Sequence, residues 1–266
     1  TLGKVTYTKL IKTTEAFDSI MGENQAIAQS FQDQFVPQIA YSYTYDRRID
    51  KNNAINWQFT VQEAGNLCWA LWELAGSEGE KRMFNTPFSQ FIKGSTQIVF
   101  NCRLKGNHWF YTRAAVGAVH AYGNSSQVPY SEQFYVGGAN SVRAFTVRSI
   151  GPGSYRDPNA TADGYFDQTG TFKFEANAEY RFPIYGIFKG ALFLDAGNVW
   201  LLEDDPRRPG GRLKGSRFLR DLALGTGLGL RVDIGMLVVR GDLGIGLHAP
   251  YNTGKSGYFN MESFKK

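Results

Sequence analysis

Residues 171–182 read TFKFEANAEYRF, with polar side chains at every odd position (Thr171, Lys173, Glu175, Asn177, Glu179, Arg181) and apolar ones at every even position. A helix brings residues three and four apart onto one face, so a strict period of two predicts a strand with two unlike faces. The same alternation recurs along the chain. Ile39, Tyr41, Tyr43 and Tyr45 oppose Gln38, Ser42, Thr44 and Asp46, and Ile55, Trp57, Phe59 and Val61 oppose Asn56, Gln58, Thr60 and Gln62. Ile98, Phe100, Cys102 and Leu104 oppose Gln97, Asn101 and Arg103. Near the end, Leu222, Leu224, Leu228, Leu230 and Val232 oppose Gly225, Gly227, Gly229, Arg231 and Asp233, and Leu237 to Leu247 repeats the pattern against Arg240, Asp242 and His248. With weaker versions at 4–11, 108–121 and 187–198, the pattern predicts about nine strands.

Alternation does not say which face is inside, because a soluble barrel or sandwich turns its apolar face inward and an outer-membrane barrel turns it to lipid. Three features favour the second arrangement. The segments run near ten residues, the length with which a tilted strand crosses a bilayer. The opposite face mixes Gly, Arg, Asp, Glu and Asn, residues suited to a polar lumen with paired charges. The connectors also alternate: 14–33, 66–92, 122–169, 200–217 and the stretch from 249 are long, whereas DRRIDKNN, KGN, PIYG and DIG are short. Outer-membrane barrels have short periplasmic turns and long external loops. The expected fold is therefore all-β, an antiparallel up-and-down transmembrane β-barrel with long external loops. Nine strands cannot close such a barrel, so residues 1–266 read as part of a larger one.

Composition narrows the functional classes. Aromatic residues make up 15% of the chain and Gly reaches 30 residues, which suits strands and turns. The formal charge is +5, but the basic residues are scattered, so nucleic acid is not expected as a partner. Cys68 and Cys102 stand in dissimilar contexts and read as free thiols, with no disulfide framework and no metal spacing. His108, His120 and His248 lie on separate segments without a nucleophile-base pattern, so the expectation is a protein that is not an enzyme and needs no cofactor. No stretch is apolar enough for a transmembrane helix, and TLGKVTYTKL lacks a signal-peptide layout, so any export signal is expected to have been removed. The stretch 14–31 and LCWALWEL (67–74) read as short loop helices, the latter packing on neighbouring loops, capping the barrel or setting its tryptophans in the headgroup layer. Sequons occur at Asn124 and Asn159.

The longest connector holds YVGGANSVRAFTVRSIGP, which resembles the signature of the sixth external loop in the outer-membrane barrel-assembly insertase superfamily of BamA- and TamA-like proteins. The match is Val142, Arg143, Ala144 and Phe145, preceded by Gly137 and Gly138 and followed by Ile150, Gly151 and Pro152. Downstream, AEYRFPI, LFLDAGNVW and GTGLGLRVDIGMLVVRGDLGIGLHAPY are similar in order and spacing to the following strands of that family. The likeness covers the chain from about residue 91, with a looser likeness to Bacteroidetes-type members before it.

The resemblance implies the C-terminal portion of a sixteen-stranded barrel, without POTRA domains or the terminal strand, in the bacterial outer membrane. It implies that the 122–169 loop folds into the lumen, where Arg143 meets Glu179 and Asp195, both on the polar face by alternation. It further implies a role in inserting or translocating client outer-membrane proteins, with outer-membrane lipids including lipopolysaccharide and accessory lipoproteins as partners. A solvated Arg143 above a wet pore remains the plain alternative to the docked loop. For the protein as a whole, the alternatives are a two-partner secretion pore or passive porin, and a soluble β-barrel binding protein. Gly225, Gly227 and Gly229 either make room for the loop or ease curvature. The family glycine after the arginine is Ala144 here, so strain is expected if that position needs positive φ.

Overall fold

The computed structural model describes residues 2–10, 12–15, 17, 18, 22, 30–74, 81–157, 168–251 and 253. The alternating segments form strands β1 (Leu2–Thr8), β2 (Gln34–Arg48), β3 (Asn53–Ala64), β6 (Phe91–Arg103), β7 (Trp109–Ala121), β8 (Phe172–Tyr185), β9 (Phe188–Trp200), β10 (Ala223–Asp233) and β11 (Val238–His248). A two-residue hairpin, β4 (Arg82–Met83) and β5 (Thr86–Pro87), and one helix, α1 (Asn66–Leu74), lie between β3 and β6. The nine long strands make one sheet in the order β1-β2-β3-β6-β7-β8-β9-β10-β11. Neighbours in the sheet follow one another in chain order among the nine, the signature of an up-and-down meander. Among the described residues the sheet is open, with β1 and β11 at its edges.

This order explains the connector lengths. In a meander successive connections fall at alternate ends, so the long stretches after β1, β3, β7 and β9 share one end and the short turns after β2, β6, β8 and β10 share the other. Antiparallel register is continuous from Phe172↔Trp200 to Phe182↔Gly190 in β8–β9, and from Ala223↔Gly197 to Val232↔Phe188 in β9–β10.

Two compact units divide the chain. The second, residues 44–58, 96–117 and 134–266, carries β8 to β11. Its apolar face is bare: Leu192, Leu194, Leu228, Leu230, Leu243 and Ile245 are all exposed. Its polar face is the covered one, with Glu175, Glu179, Asp195 and Arg231 buried. A soluble protein would reverse this arrangement, since apolar burial drives its folding. The core of the unit is a cluster of Val136, Val142, Ile150, Val199 and Ala223, with Phe134 and Phe145 packed against it. It forms between the long loop and the polar side of the sheet, because Val199 lies on the same face as Asp195 by alternation.

The first unit, residues 1–43, 59–95 and 118–133, has its own cluster of Phe35, Cys68 and Phe88, with Met83 alongside. Within it the buried Glu132 accepts from Gln38 Nε2 at 3.1 Å and pairs with Lys93 Nζ at 3.0 Å, tying the start of the long loop to β2 and β6. Asn124 Nδ2 donates to the carbonyls of Lys81 and Phe88, so this sequon nitrogen is engaged in holding loops together.

Several boundaries differ from the sequence reading. The first strand occupies 2–8 rather than 4–11. β2 starts at Gln34, upstream of Pro37, a residue that usually argues against a strand interior; its carbonyl accepts from Gly65 N at 3.0 Å. Leu222 precedes β10 and is buried instead of facing outward, and His248 Nδ1 donates to its carbonyl at 2.6 Å. The helix expected over 67–74 spans 66–74. Most of the helix-like stretch 14–31, the sequon at Asn159 and residues 254–266 lie outside the described residues.

Candidate functional site

The long loop is folded on itself before it meets the sheet. Gly138 N donates to Phe145 O at 2.8 Å, Ser141 N to Gly138 O at 3.0 Å, and Arg148 N to Val136 O at 3.0 Å. Gly137 and Gly138 have φ of 100° and 89°, and side chains there would overlap the Thr146 carbonyl and the Val147 side chain. Only glycine satisfies both demands at little cost. The hairpin-like bend these bonds close presents Arg143 at its tip.

Arg143 meets β9 through three hydrogen bonds to one carboxylate. Its backbone N and Nε donate to Asp195 Oδ2 at 3.0 and 2.8 Å, and Nη2 donates to Asp195 Oδ1 at 2.9 Å. Nη1 donates to Glu179 Oε2 on β8. The guanidinium lies 3.6 Å above the Phe193 ring, which adds a cation–π contact on its flat face. A planar fork against two carboxylates fixes orientation as well as distance, which a lysine in the same place would not do. Burial alone would push the Arg143 guanidinium down, but the hydrogen bonds to Asp195 and Glu179 outweigh it and hold it above its usual range.

The cluster extends beyond these three residues. Glu179 also accepts from Arg181 Nε at 2.6 Å and from Arg231 Nη2 at 3.0 Å. Arg231, only 2% exposed, approaches Asp242 Oδ1 on β11 at 2.7 Å as an ion pair that is not aligned for a hydrogen bond. Asn177, directly opposite Asp195 across β8–β9, donates to Asp195 Oδ1 at 2.7 Å and to Ser141 O at 2.8 Å. Arg113 on β7 donates to Asn177 Oδ1 at 2.9 Å and pairs with Glu175 at 3.1 Å, and Glu175 in turn accepts from Ser141 Oγ. Four arginines (Arg113, Arg143, Arg181, Arg231) thus face four carboxylates (Glu175, Glu179, Asp195, Asp242), so that each carboxylate has an opposite charge beside it, as burial requires. A cavity of about 320 Å³ opens beside them, lined in part by Tyr111, Arg113, Arg143 and Arg181.

The residues singled out by sequence fall into place unevenly. Val142 is in the hydrophobic cluster, Arg143 joins Glu179 and Asp195, and Phe145 packs against the cluster. Ala144 carries no left-handed strain, because the non-glycine positions with positive φ among the described residues are Phe84, Asn85 and Arg148. Of the glycine row, Gly225 alone faces the loop, with Ala144 Cβ 2.7 Å from where its own Cβ would be. The space at Gly227 is taken by the Leu243 carbonyl and the Phe193 ring, and that at Gly229 by Asp242 and Arg231. Sequence reasoning missed Gly244, Ser141, Arg113, Asn177, Arg181, Arg231 and Asp242 as site residues. Alternation puts the strand members of that set on the polar face, but no spacing rule reports which of them converge.

The sequence profile of the Omp85 superfamily domain matches residues 21–262. The chain belongs to the Omp85 superfamily. Over 93 residues it is 34% identical to the outer membrane protein assembly factor BamA of Neisseria meningitidis serogroup B, a stretch covering 32% of this chain and 11% of that protein. Among solved structures it resembles BamA from Haemophilus ducreyi lacking POTRA domains 1–3, with a TM-score of 0.45 and 15% identity over 80% of this chain and 52% of the other. It also resembles CdiB from Acinetobacter baumannii, with a TM-score of 0.36 and 14% identity over 81% of this chain and 39% of the other. The chain therefore spans only part of the length of each relative.

As an Omp85 barrel of the outer membrane, the protein turns its bare apolar face to hydrocarbon, and the charged cluster lies on the opposite side. Gly244 shows how closely loop and wall approach. A Cβ there would stand 2.9 Å from Ala144 Cα, 3.0 Å from Ala144 N and 3.1 Å from Arg143 O. Backbone atoms on both sides cannot rotate away, so Gly244→Ala is expected to destabilise the full-length protein by about 1–3 kcal/mol. Gly241→Ala on the same strand meets nothing within 4 Å and serves as the control. Urea titrations in detergent micelles check this, and equal midpoints for the two variants would mean the loop does not press on the wall.

Proposed function

We propose that this chain is part of the wall of an Omp85 barrel that inserts or translocates other outer-membrane proteins, and that residues 137–148 serve as a brace docked on its lumenal face. The observation that carries the reading is the engagement of Arg143 with Asp195 on β9 and Glu179 on β8, at carboxylates withdrawn from solvent. A brace of this kind holds neighbouring strands in one register from inside, so that the rest of the barrel can deform while this portion stays rigid. Client outer-membrane proteins and accessory lipoproteins are the partners this role requires. The free energy for insertion comes from the client, which buries its lipid-facing side chains and completes its backbone hydrogen bonds in the bilayer. No chemical step is involved, so the reading assigns the charged cluster to architecture rather than catalysis.

The competing reading is a pore in which the loop merely narrows the channel. Deleting residues 137–148 from the full-length protein separates the two. A brace predicts loss of client outer-membrane proteins from the membrane together with reduced resistance of the barrel to heat in dodecyl sulfate. A constriction predicts higher conductance in planar bilayers with client levels and heat resistance unchanged, and that result would overturn the proposal.

A further inference from the structure

In the first unit, α1 is the feature that the lumenal brace does not use. It is nine residues long, and seven of them, in NLCWALWEL, are apolar. Leu67, Trp69 and Leu71 are exposed, whereas Cys68 is buried against Phe35, Phe88 and Met83. Phe35 identifies the side of the sheet on which this packing occurs. Register between β1 and β2 is unbroken from Tyr7↔Phe35 to Leu2↔Ala40, so Phe35 shares a face with Ile39, and alternation along β2 carries that face on to Tyr41 and Tyr43; all three are exposed. α1 therefore sits on the outward, apolar face, at the end of β2 where the long connectors lie. Burial and the nearby Glu63 carboxylate push the Cys68 thiol up, in keeping with a dry contact beneath the helix.

The neighbouring hairpin adds a second, independent sign. Its turn places Phe84 and Asn85 at φ of 51° and 63°, a conformation that suits Asn-Gly and that a bulky aromatic residue rarely adopts. Phe84 is nevertheless 73% exposed, edge-on to Phe35 with ring centroids 5.6 Å apart. A strained aromatic that touches the edge of the cluster yet leaves most of its surface bare is a feature with a use outside the chain. Beside it, Lys81 Nζ lies 4.6 Å above the Trp69 ring and pairs with Glu73, so charge borders the apolar surface on one side.

We propose that α1 and the Phe84 turn form an interfacial collar that enters the outer leaflet of the membrane at the external rim of the barrel. Continuity with the lipid-facing surface carries the assignment. At about 3.3 Å per residue, Tyr43 lies some 26 Å along β2 from Phe35, and at a tilt near 40° that distance covers most of the roughly 25 Å apolar band of such barrels. Phe35 marks the upper limit of the band, and α1 rests at that limit. Among the described residues no helix is long and apolar enough to cross a membrane, so α1 is built to lie in the interface rather than span it. Tryptophan and a basic residue at the polar edge match the composition of that layer. The occupant of the exposed apolar surface is thus lipid.

The test is site-directed spin labelling of the full-length protein, reconstituted in phosphatidylcholine vesicles, in a Cys68→Ala and Cys102→Ala background. Labels at Leu67→Cys, Leu71→Cys and Phe84→Cys are expected to collide several-fold more with oxygen than with a water-soluble nickel chelate, and a label at Glu73→Cys to show the reverse. Equal access of the chelate to Leu67, Leu71 and Glu73 would put the helix in water and overturn the proposal. Shielding of Leu67 and Leu71 from both quenchers would mean that protein covers them and would overturn it equally. With both native cysteines retained, Leu71→Asp is expected to lower the urea midpoint in vesicles and in detergent micelles, because both offer hydrocarbon to α1. An unchanged midpoint in both would count against lipid contact.

Discussion

Arg143→Ala in the full-length protein is expected to cost about 3–5 kcal/mol of folding stability, the range found when one partner of a buried ion pair is removed. The cost falls mainly on Asp195, which is 0% exposed and pairs with Arg143, leaving the Asn177 amide and the backbone N–H of residue 143 against a full negative charge. Glu179 is less affected because Arg181 and Arg231 remain. This asymmetry gives a sharp form of the test. Asp195→Ala in the Arg143→Ala background removes the stranded charge, so the double variant should be substantially more stable than the sum of the single changes predicts. Urea titration of the four proteins measures the coupling. Additivity to within about 0.5 kcal/mol would show that the two groups do not depend on each other. Arg143→Lys should fall between, because an ammonium keeps the charge but engages Asp195 without the two-pronged geometry.

Leu228→Arg tests the opposite face of the same wall. Leu228 is 59% exposed at the middle of β10, between Leu192 of β9 and Leu243 of β11, both also exposed. On a soluble protein such a surface change stays within about 0.5 kcal/mol of neutral. At the midplane of a bilayer an arginine on the lipid face of a barrel costs about 2–4 kcal/mol, falling to about 0–1 near the interfaces. Val232→Arg, near the short-turn end of the strand, should therefore be tolerated where Leu228→Arg is not. Folding titrations in lipid vesicles check the pair, and a flat response along the strand would mean that this face does not meet hydrocarbon.

Side-chain direction in a strand is local: successive residues point to opposite faces wherever the strand ends up. For that reason the alternation at 171–182 and its repeats was enough to assign strands, sort their residues onto two faces, and separate long connectors from short turns. The family likeness was likewise readable, since VRAF and the three downstream segments keep their order and spacing. Boundaries were less secure where local signals misled. β2 runs through Pro37 back to Gln34, upstream of the alternation that begins at Gln38, and Leu222 kept the alternation of β10 without belonging to it.

The sequence by itself thus determined the fold class, the two unlike faces of the sheet and the family, because these rest on periodicity and on short motifs in order. Alternation alone put Glu179 and Asp195 on the polar side, while their meeting with Arg143 was implied only by the resemblance. Tertiary structure decided which polar residues converge: that Arg231 and Asp242 join the cluster from β10 and β11, that Asn177 stands opposite Asp195, and that Gly225 and Gly244 leave space for Ala144. It also decided that α1 packs on the outward face. Each of these depends on strand register and on the path of a long loop across the sheet, which are set by contacts between distant residues and leave no mark in the local pattern of the chain.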